Sequence, residues 1–232
     1  MIQSMPPTCD LLNYYKVQAI IDKAAQEAQR PKNAISLIAV SKHFNQQAIL
    51  PLLKAGHRAF GENKVQEAAA KWPALRTQFP DLRLHLIGAL QSNKAAQAVQ
   101  IFDVIHTLDR PKIAQALAKE MQRQGRYLPC FIEINCGREP QKAGINPEEL
   151  GEFLHYCRIK CGLNIIGLMT IPPAHHNPGP YFALCQSLGK KYGLEHLSMG
   201  MSNDFPEAIT FGASFVRVGS AIFGPRSPGH QN

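Results

Sequence analysis

The chain has 232 residues, 45% of them hydrophobic and 18% charged, which fits a globular protein with ample core and argues against intrinsic disorder. The length is ordinary for a single α/β barrel of roughly 250 residues and leaves no room for a second sizeable domain. A formal net charge of +8 with a pI near 9.3 permits an anionic partner, but the basic residues, densest at Arg110, Lys112, Lys119, Arg123 and Arg126, are spread over many predicted helices without interleaved aromatics, so they read as solvated helix faces and no nucleic-acid surface is expected.

The opening Met1-Ile2-Gln3-Ser4-Met5-Pro6-Pro7 has neither a basic nor an apolar leader segment, and no run of about 18 apolar residues follows. A cytoplasmic protein without membrane contact is expected. Residues 1–34 read as a helical lead-in, with the helix from about residue 10 to 30. From residue 35, strand-like runs alternate with amphipathic stretches. Strands are predicted at 36–41, 58–61, 84–87, 104–107, 130–135, 165–169, 196–199 and 215–218, and helices at 46–55, 64–76, 93–100, 111–124 and 147–161. Pro111 and the run Asn146-Pro147-Glu148-Glu149 mark helix starts. Gly125 and Gly162 stand where helix C-caps belong. Eight βα units is the number that closes a barrel over 35–226, with 227–232 as a tail. An open doubly wound sheet competes, but no Gly-x-Gly-x-x-Gly follows the first strand.

The Pro-rich stretch 172–180 reads as a loop at the functional face, and its His175 and His176 read as solvated. The six cysteines, Cys157 and Cys161 among them, are scattered without a CxxC pair. They are taken as packing residues, and no metal centre is expected.

Lys42 follows the apolar run Leu37-Ile38-Ala39-Val40-Ser41, at the carboxyl end of the first strand, where barrels gather their ligands. Desolvation there would lower the ammonium pKa and leave a nucleophilic amine, although a snorkelling surface lysine also fits. The seventh and eighth strands end in Ser198-Met199-Gly200-Met201-Ser202 and Val216-Arg217-Val218-Gly219-Ser220. Ser202 offers a hydroxyl, Gly219 lets backbone approach an anion, and Ser220 opens a short helix whose N–H groups favour phosphate. Arg217 lies two residues before Gly219 and points to the same interior face. Its acceptor is either the ring nitrogen of a bound cofactor or a neighbouring carboxylate.

Ala39-Val40-Ser41-Lys42, the segment from Phe60 to Glu67, the segment from His85 to Lys94, and the two strand ends just quoted resemble the pyridoxal phosphate homeostasis protein family. Its members are similar to the amino-terminal barrel of alanine racemase and bind pyridoxal 5′-phosphate (PLP) in the fold type III manner. The likeness runs from about residue 35 to 226. It implies a single (β/α)8 TIM barrel with an extra amino-terminal helix. It also implies Lys42 as the Schiff-base lysine, Ser202, Gly219 and Ser220 as the phosphate site, and Arg217 as the partner of the pyridine nitrogen. Asn63 and Met201 would border the cofactor, and His85 would lie near the pocket. The implied role is intracellular vitamin B6 and amino-acid homeostasis, with PLP and small amino acids as ligands, a monomeric state and no established catalytic residue.

Two departures stand out. The family often carries a second basic residue two positions after the lysine, where this chain has Phe44, and the segment before Ile35 has little of the family look. Racemases of this fold add a tyrosine base from a carboxyl-terminal β-domain. Here the sequence runs seven residues past the Gly224-Pro225 turn, and none of its tyrosines is an evident second base. A racemase-like enzyme using Lys42 as its single base is the alternative expectation.

Overall fold

The computed structural model describes residues 11–224. The expectations placed on Asp10, on Cys9 and on residues 225–232, including the end of the barrel segment and the tail, lie outside the described residues.

Eight parallel strands close into a barrel in sequence order. They are β1 (Ser36–Val40), β2 (Ala59–Glu62), β3 (Arg83–Leu86), β4 (Val104–Leu108), β5 (Cys130–Ile134), β6 (Ile165–Thr170), β7 (His196–Ser198) and β8 (Phe215–Val218). Closure is made by β1, which pairs with β2 on one side and with β8 on the other, Ala39 lying opposite Val218. That excludes the open sheet. Each predicted strand is present, with ends shifted by one residue at several places; Ser41, for example, lies beyond β1.

The helices are α1 (Leu11–Glu27), α2 (Gln46–Lys54), α3 (Val65–Gln78), α4 (Ala95–Ile101), α5 (Pro111–Gln124), α6 (Leu150–His155), α7 (Gly179–Tyr192), α8 (Phe205–Thr210) and α9 (Ser220–Phe223). With α9 only one turn long, α1 packs against α8, α9 and α2 and covers the outside of the barrel where a longer eighth helix would lie. Arg30 fastens its end, donating from one terminal nitrogen to the carbonyls of Ile209 at 3.0 Å and Ala213 at 2.7 Å. The main core lies between sheet and helices, while Ile38, Phe131 and Met169 are buried inside the barrel.

Three sequence expectations need correction. The stretch 147–161 is not one α-helix: a single 3-10 turn precedes α6, and a π-helical turn at Tyr156–Lys160 follows it. The Pro-rich loop stops at Pro178, because Gly179 and Pro180 already belong to α7. A proline in the first helical turn loses no internal hydrogen bond there. The dense basic stretch around α5 is only partly solvated. Arg126 caps the carbonyls of Val99 and Phe102, at 2.6 and 3.1 Å, and Arg110 reaches the carbonyl of Leu90 at 2.9 Å.

Candidate functional site

Beyond β1 the chain turns at residues 41–44, Phe44 N donating to Ser41 O at 3.1 Å. Lys42, half-buried, and His43 are the central pair. His43 has φ +68°, a left-handed position that usually goes to glycine or asparagine. A cluster beneath the turn holds it. Glu67 Oε1 accepts His43 N at 2.6 Å, and Lys71 Nζ donates to the carbonyls of Ser41 and Phe44, both at 2.9 Å. Glu62 Oε1 accepts the Ser41 hydroxyl at 2.7 Å and Trp72 Nε1 at 3.1 Å. Burial pushes the Glu62 carboxyl up from its ordinary value, and the charge and hydrogen bond of Lys71 pull it back. On the other side of the turn, Phe44 stacks on Phe223 of α9, ring centroids 4.7 Å apart.

Arg217 projects into the barrel and is almost completely buried. Its two terminal nitrogens donate to Ser198 Oγ at 2.8 Å and to Thr170 O at 3.0 Å. Hydrogen bonds to a hydroxyl and a carbonyl, not the carboxylate pair left open by spacing, therefore fix it. Burial lowers the guanidinium to about 10, while the charges of Glu133 and Asp204 act in the opposite sense. Ser198 Oγ lies 2.9 Å from His106 Nδ1, and His106 Nε2 lies 2.9 Å from His85 Nδ1. The His106 ring stacks on Phe131 at 4.3 Å between centroids. His85 thus sits inside the barrel, linked to Arg217 through two intervening side chains.

At the ends of β7 and β8, Ser202 Oγ is approached by the N–H groups of Gly219 at 3.4 Å and Ala221 at 3.3 Å. A Cβ on Gly219 would come within 3.2 Å of Val40 O, so the β8 end lies directly on the β1 end that precedes Lys42. Ser220 is exposed, as is Met201, whose N–H donates to Asp204 Oδ1 at 2.5 Å. Asn63 follows β2, and its Oδ1 is buried with no hydrogen-bond partner among the described residues. A Cβ on Gly88 would fall 2.3 Å from Asn63 O, so only glycine lets the β3 end close over Asn63. Glu133 on β5 is also buried with one orphaned oxygen, and burial raises it to about 7, with Asp109 pushing the same way and Arg217 opposing.

Sequence reading assigned no role to Lys71, His106 or Glu133, nor to the Glu62 and Ser198 carried in the quoted motifs. Several of their partners lie far off in sequence, 30 residues from Lys71 to Ser41 and 92 from His106 to Ser198. The one available signal was polar residues within strand runs, as in Ile105-His106-Thr107 and Ile132-Glu133-Ile134. His175 and His176 are exposed, His176 Nδ1 lying 3.0 Å from the Tyr181 hydroxyl. Among the described residues no three histidines, cysteines or carboxylates are placed to share a metal ion. Tyr14 and Tyr15 lie in α1, Tyr181 and Tyr192 in α7, Tyr156 in the π-turn, and Tyr127 at the amino side of β5.

A closed (β/α)8 barrel with a lysine at the end of β1, and with a serine, a glycine and a buried arginine on the last two strands, defines a protein of the alanine racemase amino-terminal barrel class. The family model described as "Alanine racemase, N-terminal domain" matches residues 16–227. A pyridoxal phosphate homeostasis protein of Aquifex aeolicus is 38% identical over 227 residues, 94% of this chain and 98% of the relative. The structure of PipY from Synechococcus elongatus with PLP bound superposes with a TM-score of 0.75 at 37% identity, covering 88% of this chain and all of that one. An alanine racemase of Clostridium difficile, 15% identical, shares the fold with a TM-score of 0.69 over 99% of this chain and 61% of its own. The chain belongs to the pyridoxal phosphate homeostasis protein family.

Proposed function

We propose that this protein holds PLP at the carboxyl end of its barrel and serves vitamin B6 and amino-acid homeostasis as a carrier rather than as a dedicated enzyme. The observation that carries the reading is the adjacency of the β1 and β8 ends. It brings the stretch of chain that leads into Lys42 beside the strand end where the N–H groups of Gly219 and Ala221 converge on Ser202 Oγ. The residues fit the group: an amine, a hydroxyl with converging N–H donors, a buried guanidinium and the unpaired acceptor of Asn63. Support also comes from a relative at 37% identity whose structure was solved with PLP bound.

Bound there, the cofactor supplies an aldehyde that combines with primary amines and a ring that withdraws electrons. Lys42 supplies the attaching amine, and the clamp of Lys71 on Ser41 and Phe44 orients it. Ser202, Gly219 and Ser220 hold the phosphate. Arg217 keeps its own proton and would serve as a donor to the ring nitrogen, a partner that would leave the ring a weak electron sink. Asn63 and Met201 border the cofactor, and His85 acts through Arg217. In this reading residues 1–232 form one domain, small amino acids are secondary ligands, and the protein is a cytoplasmic monomer that uses its positive charge for phosphate and not for nucleic acid. Among the described residues no helix is long and apolar enough to cross a membrane.

Deuterium incorporation at the α-carbon of a panel of amino acids, with PLP-loaded protein in D2O, tests the carrier reading. Slow exchange at most is expected. Racemisation at an ordinary enzymatic rate of about 10 s⁻¹, abolished by Lys42→Ala, would make the protein a racemase instead.

A further inference from the structure

The side chains Arg217, Ser198, His106 and His85 form a continuous chain of contacts of 2.8, 2.9 and 2.9 Å across the barrel interior. All four are at most 4% exposed, so each of the three contacts between them needs one donor and one acceptor. Arginine can only donate, which makes Ser198 Oγ an acceptor at one end. The Ser198 hydroxyl proton then has His106 Nδ1 as its neighbouring acceptor. If His106 Nδ1 carried a proton instead, the serine proton would be buried without a partner, at a cost of about 1–3 kcal/mol. With Nδ1 accepting, a neutral His106 carries its proton on Nε2 and donates it to His85 Nδ1. His85 is thereby left with its proton on Nε2 as well.

We propose that Ser198, His106 and His85 are positioning residues for Arg217. They form a one-directional hydrogen-bond chain in which every proton is donated away from the guanidinium and both imidazoles are held as neutral Nε2–H tautomers. This deepens the assignment of Arg217 to the cofactor ring and rests on it for its functional meaning, although the proton order itself does not.

The electrostatic surroundings agree. His106 faces His85 and Arg217, and burial followed by those two charges holds it far below its ordinary value. His85 faces Asp103, Arg83 and His57; burial outweighs the favourable Asp103 and brings it to about 4. Both shifts disfavour a second cation beside Arg217. Because the chain is neutral and each link polarises the next, Ser198 Oγ becomes a stronger acceptor for Arg217 than an isolated hydroxyl. The guanidinium is oriented without a carboxylate that would diminish its charge.

The test uses full-length protein free of PLP, labelled with 15N-histidine, in long-range 1H–15N correlation spectra from pH 5.5 to 8.5. His85 and His106 are assigned from His85→Gln and His106→Gln variants. The expected result is the Nε2–H pattern for both rings, constant across the range. Ser198→Ala should move the His106 nitrogen shifts and, after PLP loading, shift the absorbance maximum; Ser198→Thr, which keeps the hydroxyl, should restore both. An Nδ1–H or imidazolium pattern on either ring of the wild type would overturn the proposal even if Ser198→Ala fails to fold. So would a folded Ser198→Ala protein with unchanged His106 shifts and an unchanged spectrum. Absence of any PLP chromophore with the tautomers as expected would remove the cofactor reading and leave the proton order standing.

Discussion

Lys71 Nζ lies 2.7 Å from Glu62 Oε1, an almost wholly buried ion pair directly beneath the turn that carries Lys42. The pair reaches the turn through the carbonyls of Ser41 and Phe44. The placing of the turn that carries Lys42, the proposed attaching residue, thus depends on a lysine 29 residues further along the chain.

Lys71→Met should be strongly destabilising, because it leaves a buried carboxylate without its cation and two carbonyls without their donor. Breaking such a pair typically costs about 3–5 kcal/mol. Pairing it with Glu62→Gln should recover much of the stability in urea unfolding, yet PLP loading should stay slow because the turn remains unclamped. A loss under about 1 kcal/mol for Lys71→Met would mean that the pair contributes little here.

Glu133 should give the protein a pH-dependent stability. Its carboxyl rises from 4.5 to about 7 on folding, so the folded state binds the proton more tightly than the unfolded chain. The stabilising contribution is complete below about pH 4.5 and is lost as the pH climbs through 7. Glu133→Gln should match the wild type at pH 4 and exceed it at pH 8 by up to roughly 3 kcal/mol. Parallel pH profiles for the two proteins would contradict the assignment.

The phosphate should supply much of the affinity, since a hydroxyl and N–H donors converge near Ser202. Ser202→Ala should weaken PLP binding by about 1–3 kcal/mol, as for a lost buried partner. Unphosphorylated pyridoxal should bind far more weakly in equilibrium dialysis, and equal affinity for the two would dismiss the phosphate site.

The barrel was legible because its signals are local. Branched apolar runs of four to six residues, separated by helical periods, gave all eight strands, and Phe215–Val218 and Pro111–Gln124 match the structure at both ends. The places of Lys42, Ser202 and Gly219 beyond the ends of β1, β7 and β8 were legible for the same reason. The network that supports them was not. Lys71 sits on a helix where an i+4 carboxylate partner, as it has in Glu67, is what surface lysines also show. His106 meets Ser198 across 92 residues of sequence. Polar groups buried by such non-local pairing have no periodicity of their own, so only closure of the barrel brings them together.

The central claim is that Lys42 carries the cofactor, and borohydride reduction of PLP-loaded protein followed by peptide mapping tests it most directly. The account predicts a chromophore that reduction bleaches, a pyridoxyl group recovered on the peptide containing Lys42, and loss of that adduct in Lys42→Ala. Label found mainly on another lysine, such as Lys94 or Lys142, or persisting undiminished in Lys42→Ala, would contradict it.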